Sequence, residues 1–228
     1  MLATLWRGAL ALISSPRCPG CGGGTAEPPL PLPPLLCPAC RERLALPEGG
    51  VQGDAPLLWC ALAPYRGPWR RLLLRQRPRP EPALIAALAA QLHGCCASAV
   101  AGSLLVPIPS WKRSANPLPR LVAQGLAQAG GGAAAPALEL LQRSRVTVGQ
   151  HHLNRAQRLC NQRASFQATP APPRMPGRRT VRPLWLVDDI LTTGATARAA
   201  AAALEQAGWS VQGLLCLART PGPATAVI

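Results

Sequence analysis

One unbroken string constrains the fold more than any other feature of the chain: Val187-Asp188-Asp189-Ile190-Leu191-Thr192-Thr193-Gly194-Ala195-Thr196. The apolar run 184–187 in front of it predicts a buried strand, and the alanines of 196–207, followed by Gly208, predict a helix with a glycine cap. A strand that enters a helix through so short a turn is typical of a parallel sheet with crossover helices. We therefore predict an α/β fold.

The turn in this string has the composition of a phosphate-binding site. Small hydroxyl residues and a glycine let backbone N–H groups surround an anion, and the helix N-terminus adds partial positive charge. We assign to this cradle Thr192, Thr193, Gly194, Ala195 and Thr196. The preceding carboxylates, Asp188 and Asp189, are placed at the sheet edge to accept hydrogen bonds from a pair of sugar hydroxyls. A helix cap, a metal-binding acid pair and a plain turn are the alternatives.

Two cysteine pairs near the N-terminus predict a metal site. Cys18 and Cys21 form one C-x2-C pair, Cys37 and Cys40 form another, and fifteen residues separate them. Two such knuckles complete a tetrahedral structural zinc site with no open position. A disulfide or redox pair is the alternative. The Gly- and Pro-rich stretch around these cysteines needs such a cross-link to order itself, so we predict a ribbon domain at 1–54 and an α/β domain at 55–228.

The remaining segments follow the pattern of an α/β domain. An amphipathic helix, not a secretion signal, is predicted at 1–17, and no membrane span is expected. The further predicted strands are 57–64, 103–108 and 211–217, and the further predicted helices are 69–75, 82–93 (ended by Gly94) and 119–129. Residues 143–166 are interpreted as a flexible hood and 168–182 as a surface connection. The remaining cysteines are assigned no function.

The charge balance favours acidic partners. The chain carries 24 Lys and Arg against 9 Asp and Glu, a formal net charge of +15. Such a surface attracts nucleic acid or phosphorylated metabolites, although a generally basic surface explains the excess equally well. The hood contains arginines that either contact an anion or are solvated: Arg143, Arg145, Arg155 and Arg158.

Several motifs together resemble a known family. The string around Asp188 resembles the fingerprint by which type I phosphoribosyltransferases bind 5-phosphoribosyl 1-pyrophosphate (PRPP). The whole chain is similar to the ComF family (ComFC or GntX-like proteins). Members of that family have a four-cysteine ribbon and a Val-Pro-x-Pro strand end, which is matched here by Val106-Pro107-Ile108-Pro109. They also have a segment that is matched here by 147–150 through Arg158, Asn161 and Phe166. Many members continue after the proline motif into Arg-Gly-Phe-Asn-Gln, whereas this chain departs from that stretch after Arg113.

The resemblance implies a fold and a set of residue roles. The fold would be a parallel-sheet type I phosphoribosyltransferase (Rossmann-like) domain preceded by a small zinc ribbon. Asp188 and Asp189 would hold the ribose hydroxyls, and residues 192–196 the 5-phosphate. Pyrophosphate, bridged by magnesium, would lie at the loop Ser110, Trp111, Lys112 and Arg113.

The resemblance also implies a cytoplasmic protein that binds PRPP. Its expected role is to assist uptake or processing of single-stranded DNA in natural transformation, together with DNA-uptake proteins. Two alternatives remain open. One is an active PRPP-dependent phosphoribosyltransferase in nucleobase salvage, and the other is a sensor of PRPP or a nucleotide that does not turn it over.

Overall fold

A computed structural model describes residues 17–24, 35–110, 116–144, 165–172 and 182–221. Its strands, in chain order, are β1 (Val51–Gly53), β2 (Trp59–Pro64), β3 (Leu104–Pro107), β4 (Ala135–Pro136), β5 (Leu141–Arg143), β6 (Phe166–Ala168), β7 (Leu184–Leu191) and β8 (Val211–Arg219). Six of them form one sheet in the order β1-β2-β8-β7-β3-β4, and β5 and β6 form a separate antiparallel pair. Within the large sheet only β1 is antiparallel to its neighbour. The predicted α/β class with a parallel sheet is confirmed.

Both faces of the large sheet are covered. The helices are α1 (Pro38–Arg43), α2 (Gly67–Gln76), α3 (Pro82–Val100), α4 (Leu118–Ala129) and α5 (Ala195–Gln206). Successive residues of a strand point to opposite faces. Leu184 and Leu186 of β7 accordingly pack with α5 and with β5 and β6, while Trp185 and Val187 pack with α2, α3 and α4. A strand buried on both sides explains the continuous apolar run that predicted it.

Most element boundaries differ from the sequence prediction by one or two residues, and two ends lie further beyond it. The helix expected to end at Gly94 continues to Val100, with a kink at Cys96 (φ −140°, ψ 15°). The strand expected to end at Val187 continues to Leu191, because its ladder with β8 extends to the pairing of Leu191 with Arg219. The two acids therefore lie in the strand itself.

Helix α3 is long and apolar enough to cross a membrane by length and composition, and 44% of its apolar window is buried in the fold. It packs on α4 at very close range. A Cβ atom added to Gly125 of α4 would lie 2.6 Å from the Cβ atom of Ala89, so only glycine permits this approach. The position of α3 is that of a core helix against the sheet.

The cysteine-rich segment shares the main core. Cys18, Leu36, Cys40 and Leu44 are buried in the same apolar cluster as α3, α4 and one face of the sheet. The predicted helix at 1–17 lies outside the described residues except for Arg17, and so do most of the hood (145–164) and much of the connection (173–181). Arg143, placed in the hood by the sequence analysis, belongs instead to β5.

Candidate functional site

The turn between β7 and α5 is held open by a glycine. Gly194 has φ +74° and lies directly before the first residue of α5. A Cβ atom there would lie 2.1 Å from Cγ of Pro56, so an alanine would be both strained and in collision. Thr192, Thr193 and Thr196 around it are exposed. Pro56 thus packs closely against Gly194, while the hydroxyl residues of the turn remain accessible.

The backbone amides of this turn are available as donors. Among the hydrogen bonds of the described residues, none is donated by the amides of Thr192, Thr193, Gly194 or Thr196. The amide of Ala195 donates to Oγ1 of Thr193 at 3.4 Å. Free amides at the N-terminus of a helix, with the helix dipole behind them, form an anion-binding site.

Asp189 is buried and paired. Its side chain is 3% exposed and accepts a two-pronged interaction from Arg77, with Nε 2.5 Å from Oδ2 and Nη2 3.1 Å from Oδ1. Asn116 donates from Nδ2 to Oδ2 of the same carboxylate at 2.9 Å, and its own Oδ1 accepts the amide of Leu118 at the start of α4. The hydrogen bond to Asp189 is the main cause that raises the pKa of Arg77. The two side chains therefore form a fixed ion pair.

Asp188 lies in a different environment. Its Oδ1 accepts the backbone amide of Asp189 at 2.8 Å. Burial, and then the negative charge of Asp189, raise the pKa of Asp188 well above its usual range. Because neighbouring strand residues alternate, Asp189 faces Arg77 after α2, whereas Asp188 faces the side on which Arg143 of β5 lies. Asp189 retains one lone pair, the second on its Oδ1, and Asp188 retains Oδ2 and the second lone pair of Oδ1 to accept further hydrogen bonds.

Both acids and the turn line one cleft. A cavity of about 300 Å³ is bounded by Asp188 and Asp189, by Thr192 and Thr196 of the turn, and by further residues from neighbouring elements, among them Tyr65, Arg77, Ser110, Asn116 and Arg143. It adjoins a larger cavity of about 830 Å³, and the two share Ile108, Pro109, Ser110, Asn116, Pro119 and Arg143. Two carboxylates thus meet two guanidinium groups at the carboxyl end of a parallel sheet, where α/β folds bind ligands.

Arg143 is fixed at the wall between the two cavities. Its Nε donates to the carbonyl of Pro109 at 2.9 Å, and its guanidinium lies 4.6 Å from the ring centroid of Phe166. Burial lowers its pKa, and the charge of Asp188 acts in the opposite direction. Of the predicted pyrophosphate loop, Ser110 lines both cavities, while Trp111, Lys112 and Arg113 lie outside the described residues, as do Arg145, Arg155 and Arg158.

The predicted metal ligands are brought together. The sulfur atoms of Cys18, Cys21, Cys37 and Cys40 all lie within 4.8 Å of one another, and those of Cys21 and Cys37 are 3.8 Å apart. A tetrahedral zinc ion with Zn–S bonds of about 2.3 Å requires sulfur separations of about 3.8 Å, so the donor set fits this metal.

The backbone around Cys18 favours its thiolate. Burial opposes the charge, but amide hydrogen bonds from Cys37 and Gly20, each 3.3 Å from Sγ of Cys18, outweigh it and lower the pKa of this thiol to about 6. Thiolates are the form in which cysteine binds metal. The knuckle is closed by the amide of Gly22, which donates to the carbonyl of Cys18 at 2.8 Å.

No family model and no curated protein matches the sequence. A solved structure of adenine phosphoribosyltransferase is similar to this chain. The two share 19% identity at a TM-score of 0.36, over 64% of this chain and 73% of that one.

Two residues of the cleft were missed by the sequence analysis. Arg77 is separated from Asp189 by 112 positions, and no local pattern indicates such a partner. Asn116 did have a local signal, because it is the fourth residue of the stretch that begins at Arg113, where the ComF-type stretch also has asparagine. The departure at the neighbouring positions concealed that match.

Proposed function

We propose that the cleft at the end of β7 binds a ribose 5-phosphate group, presented by PRPP or a related phosphoribosyl ligand. The observation that carries the proposal is that hydrogen-bond donors for a phosphate and acceptors for a diol lie next to each other in the segment from Val187 to Thr196. Unpaired amides lie at the turn before α5 and at Thr196, and Asp188 and Asp189, near the end of β7, present carboxylates to the same cavity of about 300 Å³. A phosphate accepts hydrogen bonds and a vicinal diol donates them, so one sugar phosphate uses both.

Both carboxylates keep acceptor capacity for a ribose. The unused lone pair on Asp189 and those on Asp188 can accept hydrogen bonds from the two hydroxyl groups of a ribose diol. The turn residues Thr192, Thr193, Gly194, Ala195 and Thr196 supply amides and hydroxyls for the 5-phosphate. Arg77 and Asn116 act on Asp189 and hold it in place, so that the diol meets a preorganised carboxylate.

Transfer of the phosphoribosyl group is the reaction that this arrangement supports. When pyrophosphate leaves C1 of the ribose, positive charge develops on the sugar, and a carboxylate such as Asp188 beside it stabilises that charge. Magnesium, when bound with PRPP, neutralises the leaving pyrophosphate, which we place beside Ser110. The protein's part is positioning, without a nucleophilic side chain. Pyrophosphate release across a panel of nucleobases separates an enzyme from a sensor of PRPP.

Binding is tested by calorimetric titration of PRPP with magnesium into the wild type and into Asp188→Asn. We expect the variant to lose affinity by tenfold or more, about 1.4 kcal/mol, because the amide places a donor where the ribose hydroxyl donates. Glu205→Gln, which removes an exposed charge near the far end of α5, serves as the control and should bind as the wild type does. Equal affinity of the wild type and Asp188→Asn would mean that the site is misassigned.

A second function, binding of nucleic acid, is favoured by the surface of α2. Arginines lie exposed along and beside this helix, at Arg66, Arg70, Arg71, Arg75 and Arg79. The segment starts at Tyr65, which lines the cleft. A row of exposed cations in a chain of net charge +15 suits a phosphate backbone. The role in single-stranded DNA uptake implied by the ComF resemblance would use this face.

A gel shift on single-stranded DNA at several salt concentrations tests this second function. The triple variant Arg66→Ala/Arg71→Ala/Arg75→Ala should bind DNA more weakly, and its salt slope should be smaller by about 0.7 for each phosphate group that the protein no longer neutralises. Its affinity for PRPP should be unchanged. A triple variant that shifts DNA as the wild type does would exclude α2 as the contact face.

We further propose that the four cysteines hold a structural zinc ion and that the protein works in the cytoplasm. All four metal positions would be taken by protein, which leaves no place for substrate. No disulfide joins the cysteines of the described segments, and a reducing compartment would keep them in that state.

A further inference from the structure

Given the proposed phosphate site, we infer that Arg219 is a positioning residue that holds the phosphate-binding amides in place from behind the turn. Arg219 is the last residue of β8 and pairs with Leu191, the last residue of β7. It is not among the described residues that line the cavity. Its action is therefore on the turn, not on the ligand.

Arg219 contacts the last carbonyl group of β7 and the first carbonyl group of the turn. Its Nη1 donates to the carbonyl oxygen of Leu191 at 3.2 Å and also to that of Thr192. The carbonyl of Leu191 additionally accepts the amide of Thr220 at 2.9 Å. A single charged group thus fixes two successive peptide units at the point where the chain leaves the sheet.

Planarity of the peptide bond converts this contact into an orientation of the donors. In a trans peptide the C=O group of one residue and the N–H group of the next point in opposite directions. Holding the carbonyls of Leu191 and Thr192 towards Arg219 therefore directs the amides of Thr192 and Thr193 away from it. These two amides are among those that donate no hydrogen bond within the described residues. Without the guanidinium, the Thr192–Thr193 peptide unit loses this restraint, whereas the Leu191–Thr192 unit is still held by the amide of Thr220.

Arg219 is itself restrained. Its guanidinium lies 5.5 Å from the ring centroid of Trp59, and the indole Nε1 of Trp59 donates to the carbonyl of Ala55 at 3.0 Å. The backbone carbonyl of Arg219 accepts the amide of Tyr65 at 2.7 Å. Because Trp59 and the backbone restrain Arg219, its guanidinium can hold the turn in one position. Little conformational freedom of this side chain then remains to be lost when the ligand binds.

The test compares Arg219→Met, which keeps the aliphatic stem and removes the donors, with Arg198→Met as the matched control. Arg198 lies exposed on the first turn of α5, so the control removes the same charge nearby without touching the carbonyls. In the ligand-free protein, we expect the NMR order parameter of the Thr193 amide to fall from about 0.85 to below about 0.6 in Arg219→Met only. The Thr192 amide should change less, because the carbonyl of its peptide unit still accepts the amide of Thr220. Arg219→Lys, with a shorter reach and one donor group, should give an intermediate value.

Affinity supplies the second measurement. Calorimetric titration of PRPP with magnesium should show a loss of about tenfold to a hundredfold in Arg219→Met, the scale of effect that follows when binding groups are misplaced. Unchanged order parameters in Arg219→Met would overturn the inference, as would an affinity equal to that of Arg198→Met. If the wild type itself fails to bind PRPP, the proposed function fails, and the order parameters of the free protein still decide whether Arg219 holds the turn.

Discussion

Burial and the charge of Asp189 both oppose ionisation of Asp188, because its position in β7 fixes it in the cleft beside Asp189. The pKa of Asp188 is therefore higher in the folded state than in the unfolded chain. Between the usual pH range of carboxyl titration and neutrality, the folded state consequently binds more protons than the unfolded chain. By linkage, the contribution of Asp188 to stability becomes less favourable as the pH rises through that window. The proposed ribose ligand would offset this cost by donating to the carboxylate.

The linkage gives a prediction for the ligand-free protein. Asp188→Asn should be more stable than the wild type near about pH 7, and the difference should shrink towards about pH 4, because the variant lacks the unfavourable charge. Urea unfolding of both proteins at the two pH values measures it. A difference that is constant with pH would contradict the raised pKa.

A second prediction for a single residue concerns Arg77. Removing it leaves Asp189 buried and charged without its main partner, although the 37% exposure of Arg77 lets water replace part of the interaction. We expect Arg77→Ala to lower the free energy of unfolding by about 2–3 kcal/mol. Arg71→Ala, which removes an exposed arginine on α2, the helix just before Arg77, should change it by about 0.5 kcal/mol or less. Equal effects in the two variants would show that the ion pair does not stabilise the fold.

How far the site could be predicted depends on whether the interaction is local in sequence. The string from Val187 to Thr196 contains strand, acids, turn and helix start in order, so its local structure could be inferred from the residues alone. The partners of Asp189 could not, because Arg77 and Asn116 reach it only after α2 and α4 have packed on the sheet.

At the scale of elements, tertiary packing decided where helices and strands end. Gly94 is a reasonable stop signal, yet α3 continues beyond it, because the later residues Cys96 and Val100 are buried against the sheet and α4. The cost of a glycine within a helix, about 1 kcal/mol, is smaller than the gain from that burial. β7 likewise continues past Val187, since β8 offers it a ladder to Leu191.

The turn between β7 and α5 yields a prediction for Gly194. Gly194→Ala should destabilise the protein by more than about 2 kcal/mol and abolish phosphate binding, because left-handed backbone alone costs a non-glycine residue about 1–2 kcal/mol and Pro56 blocks the added methyl group. Thermal unfolding and PRPP titration measure the two effects.

Gly208 provides the matched control for this turn. It also has positive φ, at +89°, but an added Cβ atom would meet only Ala171 at 3.4 Å, an ordinary contact. Gly208→Ala should therefore lose about 1–2 kcal/mol of stability and keep its affinity. Retained phosphate binding in Gly194→Ala would show that the shape of this turn is not what binds the ligand.

At the scale of the whole molecule, the cysteine-rich segment and the α/β domain depend on one apolar cluster. Cys40 and Leu44 of the α1 region are buried together with residues of α3, α4 and the sheet. The sequence predicts a ribbon at 1–54 followed by an α/β domain at 55–228. Periodicity gives no information on a core that the two segments share, because contacts between distant segments leave no local pattern. A metal at the four cysteines would thus stabilise the α/β domain as well as the loops that bind it.

Zinc removal tests this dependence. The purified protein should contain one zinc ion per chain, and chelation or Cys21→Ser should lower the midpoint of thermal unfolding of the whole molecule in a single transition. Cys95→Ser, which lies outside the cluster, should keep the zinc. Two separate transitions, or an unchanged midpoint after complete zinc loss, would show that the cysteine segment folds independently of the sheet.

The central claim is that the segment from Val187 to Thr196 binds a sugar phosphate, with the phosphate at the turn between β7 and α5 and the ribose diol at Asp188 and Asp189. The most direct measurement is a crystal structure with ribose 5-phosphate bound. We predict the phosphate within hydrogen-bonding distance of the amides of residues 192–196 and a ribose hydroxyl on Oδ2 of Asp188, with the Arg77–Asp189 pair intact. A phosphate bound elsewhere, or a sugar that makes no contact with Asp188, would contradict the account.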